Sequence, residues 1–151
     1  MQTFSIRQAT VSDCDDCAKL LSAQLAEHDV DSSLLMVAQR LEQVLRERLL
    51  GFVLLAQDGS GVIGVAYCPT IVSLEHCGSV AWFEELYVRP SHRNLGVGTA
   101  LISAVLAYAS ESGVVAVDLE IDESHKRVES LYRRFDFELL SRSRWVRKLK
   151  T

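Results

Sequence analysis

The chain has 151 residues, of which 48% are apolar and 24% are charged, and its formal net charge is −4. At about 100–200 residues per domain, this length predicts a single domain over residues 1–151, and the near-average composition excludes a disordered or collagen-like chain. No run of about 18 apolar residues exists and the N-terminus has no basic-then-apolar leader, which predicts a cytoplasmic protein without a membrane partner. A net acidic chain also argues against nucleic acid as the main ligand.

Charge is unevenly distributed along the chain. Residues 1–88 hold 12 acidic and 5 basic side chains, whereas residues 89–151 hold 8 acidic and 11 basic ones. Two different ligands would account for this asymmetry, a cationic one met by the first part and an anionic one met by the second. A solvated surface with a chance asymmetry accounts for it equally well.

Four cysteines are present, and Cys14 and Cys17 form a Cys-x-x-Cys pair. Such a pair suggests half of a zinc site or redox chemistry, but no second pair exists, because eight residues separate Cys68 from Cys77. Cys14 and Cys17 also share one face of a predicted helix with apolar residues, which is typical of small buried side chains. We therefore expect no metal site.

The first half of the chain combines two amphipathic helices with apolar strands. Ser12 can cap a helix that runs to about Glu27, and a second helix opens at residue 31 or 32 and ends at Gly51. The predicted strands are residues 3–8, 52–57, 62–73 and 79–89, with a hairpin turn at residues 58–61. The last three strands form an antiparallel meander.

The pattern changes beyond Pro90. A glycine-bearing loop leads into a helix over about residues 98–112, and residues 115–121 alternate as a strand. A strand, a crossover helix and a strand imply a parallel pair. The predicted elements that complete the chain are a short helix over about residues 126–135 and two closing strands, 137–140 and 142–149. The class is α+β or α/β with a mixed sheet.

The segment Arg93-Asn94-Leu95-Gly96-Val97-Gly98-Thr99 follows a strand and opens a helix. Backbone N–H groups at a helix N-terminus bind phosphate oxygens, glycines let the backbone approach closely, and an arginine adds a charged donor. The dinucleotide fingerprint and the Walker loop do not fit, because the third glycine of the first and the Gly-Lys-Ser/Thr of the second are missing. A plain tight turn is the alternative.

This segment resembles the acyl-CoA-binding signature of the GNAT N-acetyltransferase superfamily, Arg/Gln-x-x-Gly-x-Gly/Ala, matched by Arg93, Gly96 and Gly98. Residues 83–90 look like that family's central strand, and residues 127–137 are similar to its helix ending in Tyr-x-x-x-Gly-Phe. The resemblance covers nearly all of the chain. It implies the GNAT fold, a mixed, mostly antiparallel twisted sheet of six to seven strands flanked by about four helices.

Two positions depart from the family pattern. His125 stands seven residues before Tyr132, where many members have an asparagine that contacts the cofactor, so that contact would fall to a histidine. Asp136 replaces the usual glycine after the last helix. Because Asp adopts the left-handed conformation more readily than most residues, we expect the turn to survive.

The resemblance implies direct transfer of an acetyl group from acetyl-CoA to an amine in a ternary complex. Glu84, with Glu85 as runner-up, would take the amine's proton, and only one would face the acceptor, because adjacent strand residues point to opposite faces unless a bulge intervenes. Tyr132 would reprotonate the leaving thiolate. The residues implied in cofactor binding are Leu86, Tyr87, Val88, Arg93, Asn94, Leu95, Gly96, Val97, Gly98, Thr99 and His125.

The expected acceptor is a cationic small-molecule amine, because Glu27, Asp29, Asp31 and Glu75 make acidic the segments that vary acceptor choice in such folds. Aminoglycosides, polyamines, diamino acids and protein amines all stay open. The alternative functions are a non-catalytic acyl-CoA-binding module and an acetyltransferase for a protein amine. The oligomeric state is open, with a homodimer as one option. His92 stands alone in the sequence and is expected on the surface.

Overall fold

The computed structural model of the protein describes residues 3–150, which divide into one unit up to Glu120 and a second unit from Ile121 onwards. The strands of the first unit are β1 (Ser5–Gln8), β2 (Gly51–Asp58), β3 (Gly61–Ser73), β4 (Gly78–Trp82), β5 (Glu85–Val88) and β6 (Ala116–Asp118). Its helices are α1 (Cys14–Glu27), α2 (Leu34–Arg46) and α3 (Val97–Glu111). The second unit contains a short 3-10 helix, Glu123–Val128, and α4 (Glu129–Arg133).

The sheet of the first unit is mixed, with the strand order β1-β2-β3-β4-β6 and with β5 also paired to β3. Every neighbouring pair is antiparallel except β4 and β6, which are parallel and are joined through the crossover helix α3. The predicted α+β class and mixed, mostly antiparallel sheet are thus confirmed, with six strands and four α-helices among residues 3–150. None of the helices in this described part is long and apolar enough to cross a membrane.

The single strand predicted over residues 79–89 is instead two strands, β4 and β5, separated by a β-bulge. Both pair with β3, but their registers differ by one residue. Between the pairs Thr70–Ala81 and Tyr67–Glu85, three residues on the bulged side face two residues on β3. An extra residue of this kind bends the strand and re-aims the side chains that follow it.

Pro69 lies opposite the bulge. It is one of the two β3 residues at this point, and it has no N–H to donate to the ladder. The backbone N–H of Phe83 instead donates across to the carbonyl of Asp118 at 2.7 Å, and that of Glu84 donates to the carbonyl of Tyr67 at 3.1 Å. The β4–β6 ladder ends at Asp118, so among residues 3–150 the strand β5 has β3 as its only strand partner.

The buried face of α1 is the one that the sequence predicts. Cys14, Cys17, Ala18 and Leu21 are all buried, and Cys17 is fully enclosed. The cysteines are free thiols. Burial raises the pKa of Cys17 to about 12, so the thiol stays neutral at physiological pH. Cys14 and Cys17 therefore act as small apolar core residues, as expected.

Helix α3 packs closely on the sheet because β3 has a glycine at the contact. A Cβ atom at Gly64 would lie 3.0 Å from Leu101 Cδ1, 3.2 Å from the carbonyl oxygen of Tyr87 and 3.3 Å from Val97 Cγ1. Val97 and Leu101 are themselves buried in the first two turns of α3. This close approach places the N-terminus of α3 next to the end of β5.

The two closing strands predicted over residues 137–140 and 142–149 are wrong, because residues 137–150 form no strand in the structure. Their large apolar side chains are exposed, with Trp145 at 90% and Leu149 at 79%. Alternation along a segment creates a strand only where a neighbouring strand supplies hydrogen bonds and a surface to bury against. The local pattern carries no information about whether that neighbour exists.

The turn after α4 confirms the left-handed conformation expected at Asp136, whose φ is 62°. The N–H of Asp136 donates to the carbonyl of Arg133 at 3.1 Å, and the N–H of Phe137 donates to the carbonyl of Tyr132 at 3.3 Å. The rings of Tyr132 and Phe137 meet edge-on with their centroids 5.6 Å apart. These bonds and this contact define a Schellman motif with an aspartate at the position usually held by glycine.

Asp136→Gly should therefore stabilise the protein by about 0.5–1 kcal/mol, because glycine has no Cβ to strain the left-handed backbone. Asp136→Ala is the matched variant, which removes the carboxylate but keeps the Cβ, and it should lower stability. The free energy of unfolding from urea titration distinguishes the two effects. A loss of stability in both variants would show that the carboxylate, and not the backbone, decides this position.

Candidate active site

The glycine-bearing loop ends β5 and begins α3, as the sequence predicts. The left-handed residues Asn94 (φ 61°) and Gly96 (φ 82°) turn the chain, and the N–H of Ala100 already donates to the carbonyl of Gly96 at 3.0 Å. The N–H groups of Val97, Gly98 and Thr99 therefore lie in the first turn of the helix, where no carbonyl within the helix can accept them. A Cβ at Gly96 would point into open space, so the backbone here is accessible to an anion.

Arg93 braces this loop against two other elements. Its Nε donates to the carbonyl of Val88 at 2.9 Å, and its Nη2 donates to Glu27 at 3.0 Å, at the end of α1. The guanidinium also lies over the ring of Tyr87 at 5.2 Å, and the Tyr87 hydroxyl donates to the same Glu27 carboxylate at 3.2 Å. Burial and this carboxylate raise the pKa of Tyr87, so the phenol remains a donor.

Glu27 has different neighbours from those that the sequence predicts. The sequence predicts that Glu27 belongs with the acidic residues of the acceptor segments, but the structure pairs it with Arg93. Sequence reasoning missed this contact because 66 residues separate the two positions. The only local signal was the position of Glu27 at the end of an amphipathic helix, which does not identify a distant partner.

His92 anchors the start of the loop and is buried, so its expected surface position is wrong. Its Nε2 lies 3.1 Å from Asp58 Oδ2 at the β2–β3 turn, and its Nδ1 lies 2.8 Å from the Ser91 hydroxyl. The hydroxyl and N–H of Ser60 donate to the other oxygen of Asp58, at 2.6 and 2.7 Å. The bonds from Ser60 and the contact with His92 lower the pKa of Asp58.

A cavity of about 320 Å³ lies between the first two helices and the bulged part of the sheet. Its lining consists of Leu21, Leu25, Met36, Val37, Arg40, Leu41, Tyr67, Glu84 and Glu85. Five of these side chains are aliphatic or thioether groups on α1 and α2, and the polar ones come from β3, from the bulge and from one arginine on α2. This volume is within the range of sites that enclose a small molecule.

Both carboxylates of the bulge line this cavity, although the alternation of a regular strand would place only one there. The bulge is the reason, because Glu84 is its last residue and Glu85 is the first residue of β5. Glu84 is exposed and Glu85 is half-buried. Burial, and next the charge of Glu84, raise the pKa of Glu85 to about 7.

Tyr67 completes the polar wall. It pairs with Glu85 across the β3–β5 ladder and is half-buried. Burial, followed by the charge of Glu84, raises the pKa of Tyr67 to about 12, so its hydroxyl stays protonated at neutral pH. The cavity therefore offers one group that can accept a proton near pH 7 and one neutral hydroxyl.

The remaining predicted residues lie at three places. Leu86, Tyr87 and Val88 are on β5, whose second edge has no strand partner among residues 3–150. In the second unit, Tyr132 is half-buried on α4. His125 lies in the 3-10 helix, where its Nδ1 is 2.8 Å from the carboxylate of Asp122.

Known proteins resemble this chain both in sequence and in structure. The sequence profile described as "Acetyltransferase (GNAT) family" matches residues 15–137. The chain is 27% identical to the uncharacterized N-acetyltransferase YhfO of Bacillus subtilis, over 89% of this chain and 90% of that protein. It is 28% identical to the thialysine N-epsilon-acetyltransferase of Mus musculus, over 88% and 83% of the two chains. The solved structure of a predicted acetyltransferase with acetyl-CoA from Clostridium acetobutylicum superposes with a TM-score of 0.79 at 15% identity, covering 96% of both chains.

The raised pKa of Glu85 makes a prediction about stability. The folded protein holds this proton up to about pH 7, whereas the ordinary value is 4.5. The folded state therefore binds more protons than the unfolded chain between these values, so ionisation of Glu85 costs stability as the pH rises. Glu85→Gln removes that cost, and its free energy of unfolding relative to the parent protein should increase from pH 5 to pH 8.

Urea titrations at several pH values measure this difference. In a Glu84→Gln background the increase should be smaller, because the neighbouring charge that helps to raise the pKa of Glu85 is gone. A difference that stays constant with pH would show that Glu85 titrates at its ordinary value.

Proposed function

Because the chain belongs to the acetyltransferase (GNAT) family, we propose that it transfers an acetyl group from acetyl-CoA to a primary amine of a small molecule. The observation that carries this proposal is the cavity that Glu84 and Glu85 both line, beside the point where the β4–β6 ladder ends. An ammonium group that enters this cavity meets two carboxylates and a mostly apolar wall. The cavity volume supports a small-molecule acceptor rather than a protein surface.

Acetyl-CoA supplies the thioester carbon that the amine attacks. The N–H groups of Val97, Gly98 and Thr99 would hold the pyrophosphate, and the open space beside Gly96 supports this fit because a Cβ there would fill it. Asn94 and Leu95 shape the turn before the helix, and Arg93 adds positive charge near it. The solved acetyltransferase with acetyl-CoA, which has the same fold, supports this choice of donor.

The backbone of β5 is the second part of the proposed cofactor site. The N–H of Arg89 bonds Ile63 on β3, so the alternation of a strand turns the backbone groups of Leu86 and Val88 to the other edge, while Tyr87 between them pairs with Val65. That edge has no strand partner among residues 3–150, and such an edge hydrogen-bonds an extended chain of amides. His125 is proposed as a further cofactor contact, on the position that its motif shares with the family's asparagine.

Glu85 is proposed as the general base that removes the proton from the bound ammonium, in preference to Glu84. An acceptor amine must be neutral before it attacks, and a base with a pKa near 7 is available at neutral pH while it still binds a proton well. The exposed Glu84 would attract the ammonium and would keep the pKa of Glu85 high. Direct attack of the amine in a ternary complex needs no nucleophile from the protein.

Tyr132 is proposed as the general acid that protonates the leaving thiolate. This role is supported by the Tyr-x-x-x-Gly/Asp-Phe pattern of α4 and the turn after it. A phenol suits this step because it is protonated at neutral pH and can donate as negative charge develops on sulfur.

A panel of amines incubated with acetyl-CoA, with thiol release as the readout, tests the function and both assignments. Glu85→Gln should slow the chemical step by about 10²–10⁴-fold and remove the rise of kcat/KM with pH near 7. Tyr132→Phe should lower kcat by about 10²-fold with little change in KM for acetyl-CoA, because the lost bond forms in the transition state. Full kcat in either variant, where chemistry limits turnover, would reassign that role. Absence of thiol release with every amine would contradict the function itself.

Acetyl-CoA should raise the melting temperature of the protein, since a ligand at 100 times its Kd adds about 2.7 kcal/mol of stability. Gly96→Val should abolish this rise, because its side chain occupies the space through which phosphate reaches the backbone. Gly113→Val is the matched control, since Gly113 also has a positive φ and open space at its Cβ but lies beyond the far end of α3. It should lower the melting temperature and keep the response to acetyl-CoA. The proposed phosphate site is wrong if both variants respond equally.

A further inference from the structure

The cavity that contains the two carboxylates also contains one permanent cation. Arg40 lies on α2, one turn after Met36 and next to Leu41, and all three line the cavity. The arginine is exposed, so its guanidinium reaches water as well as the cavity. Its positive charge persists at any pH at which the enzyme works.

Arg40 is not engaged by the protein. Among residues 3–150 its side chain makes no hydrogen bond or ion pair, including with Glu84 or Glu85. Three arginines of the first unit do bond carboxylates: Arg7 bonds Asp13, Arg46 bonds Glu42 one turn earlier on α2, and Arg93 bonds Glu27. The donors of Arg40 are therefore available to a ligand.

The charges that line the cavity are unfavourable for a polycation. One ammonium can be met at the bulge by Glu84 and Glu85, but a second one would share the cavity with Arg40, and like charges held close together repel. The acidic residues that favour a cationic amine in the sequence, namely Glu27, Asp29, Asp31 and Glu75, are absent from the cavity lining. The structure therefore favours an acceptor that carries a negative group besides its reacting ammonium.

We propose that Arg40 binds a carboxylate of the acceptor, so that the substrate is an amino acid whose reacting amine and carboxylate are joined by an apolar segment. The inference rests on the proposed function, since it concerns the acceptor of that same reaction. The amine lies at the carboxylates of the bulge, the carboxylate lies at α2, and the segment between them contacts the aliphatic wall that includes Leu21, Leu25 and Val37. A guanidinium recognises a carboxylate through two parallel hydrogen bonds, which also fixes the orientation of the ligand.

The comparison with the mouse protein is consistent with this substrate class. Thialysine, the compound in that protein's name, is an amino acid with a side-chain amine. In this proposal Arg40 determines which acceptor is bound, whereas the base at the bulge removes a proton from the amine of every acceptor.

Matched pairs of acceptors test the proposal. Each acid is compared with its own amide, 6-aminohexanoate with 6-aminohexanamide and L-lysine with L-lysinamide, since the amide keeps size and shape but removes the negative charge. The measured quantity is the ratio of kcat/KM for the acid to kcat/KM for the amide. Arg40→Gln should lower this ratio about 10- to 100-fold, the usual effect of losing hydrogen bonds to a charged group. Differences in amine basicity between an acid and its amide cancel, because the ratio is compared between two proteins that are assayed with the same pair of acceptors.

Two further variants sharpen the result. Arg40→Lys keeps the positive charge, so it should retain most of the preference for the acid over the amide. Arg40→Glu places a carboxylate at this position, so it should lower kcat/KM for 6-aminohexanoate and raise kcat/KM for the diamine cadaverine. Arg46→Gln is the matched control, because it removes an arginine from the same helix that does not line the cavity, and it should leave the ratio unchanged. Equal ratios in the parent protein and Arg40→Gln would overturn the proposal.

A binding measurement separates this proposal from the reaction. The acetylated product 6-acetamidohexanoate should raise the melting temperature of the parent protein more than its amide does, and Arg40→Gln should remove that difference. Product binding that depends on Arg40, without thiol release from any acceptor, would contradict the proposed function and leave the carboxylate site in place. Thiol release from acid and amide alike, with no difference in product binding, would overturn the carboxylate site alone.

Discussion

One extra residue in the sheet determines where two carboxylates meet at the wall of a cavity. The bulge between β4 and β5 ends the parallel ladder at Asp118, and it brings Glu84 and Glu85 to the wall of one cavity. Without the bulge, β5 would continue in the register of β4, and adjacent carboxylates would point to opposite faces. The same feature leaves one edge of β5 without a strand partner in residues 3–150, which is the edge proposed for the cofactor's amides.

The loop that opens α3, proposed to hold phosphate, is held from two sides by other elements. Arg93 connects the loop to the end of β5 and to Glu27 on α1, and His92 connects its beginning to Asp58 at the β2–β3 turn. Helix α1 also supplies Leu21 and Leu25 to the cavity wall. One helix therefore borders both the proposed acceptor site and the proposed cofactor site, so the two share a rigid support. Such preorganisation lowers the entropic cost of binding.

The charged side chains that line the cavity lower the stability of the folded state, but they suit the proposed reaction. Burial raises the pKa of Glu85 because a half-buried carboxylate loses hydration, and the neighbouring Glu84 adds repulsion. Neither carboxylate is paired with Arg40, which lines the same cavity. An ion pair between Arg40 and either carboxylate would stabilise both charges. It would also lower the pKa of the proposed base, and it would occupy the guanidinium that is proposed to bind the carboxylate of the acceptor. Titratable groups with a perturbed pKa are common at sites that bind and react.

The sequence by itself determined the features that depend on local periodicity and turn chemistry. The buried face of α1, the loop that opens α3 and the left-handed position of Asp136 all follow from residues within a few positions of one another. Tertiary structure alone decided the bulge opposite Pro69, the contact between Glu27 and Arg93, the burial of His92 and the absence of strands over residues 137–150. Each of these depends on a partner far away in the chain, or on the lack of one, and a local pattern cannot specify which distant groups will meet. Arg40 shows the same limit, because helical spacing places it beside Leu41, but only the packed helices and sheet show that it borders the cavity with the two carboxylates.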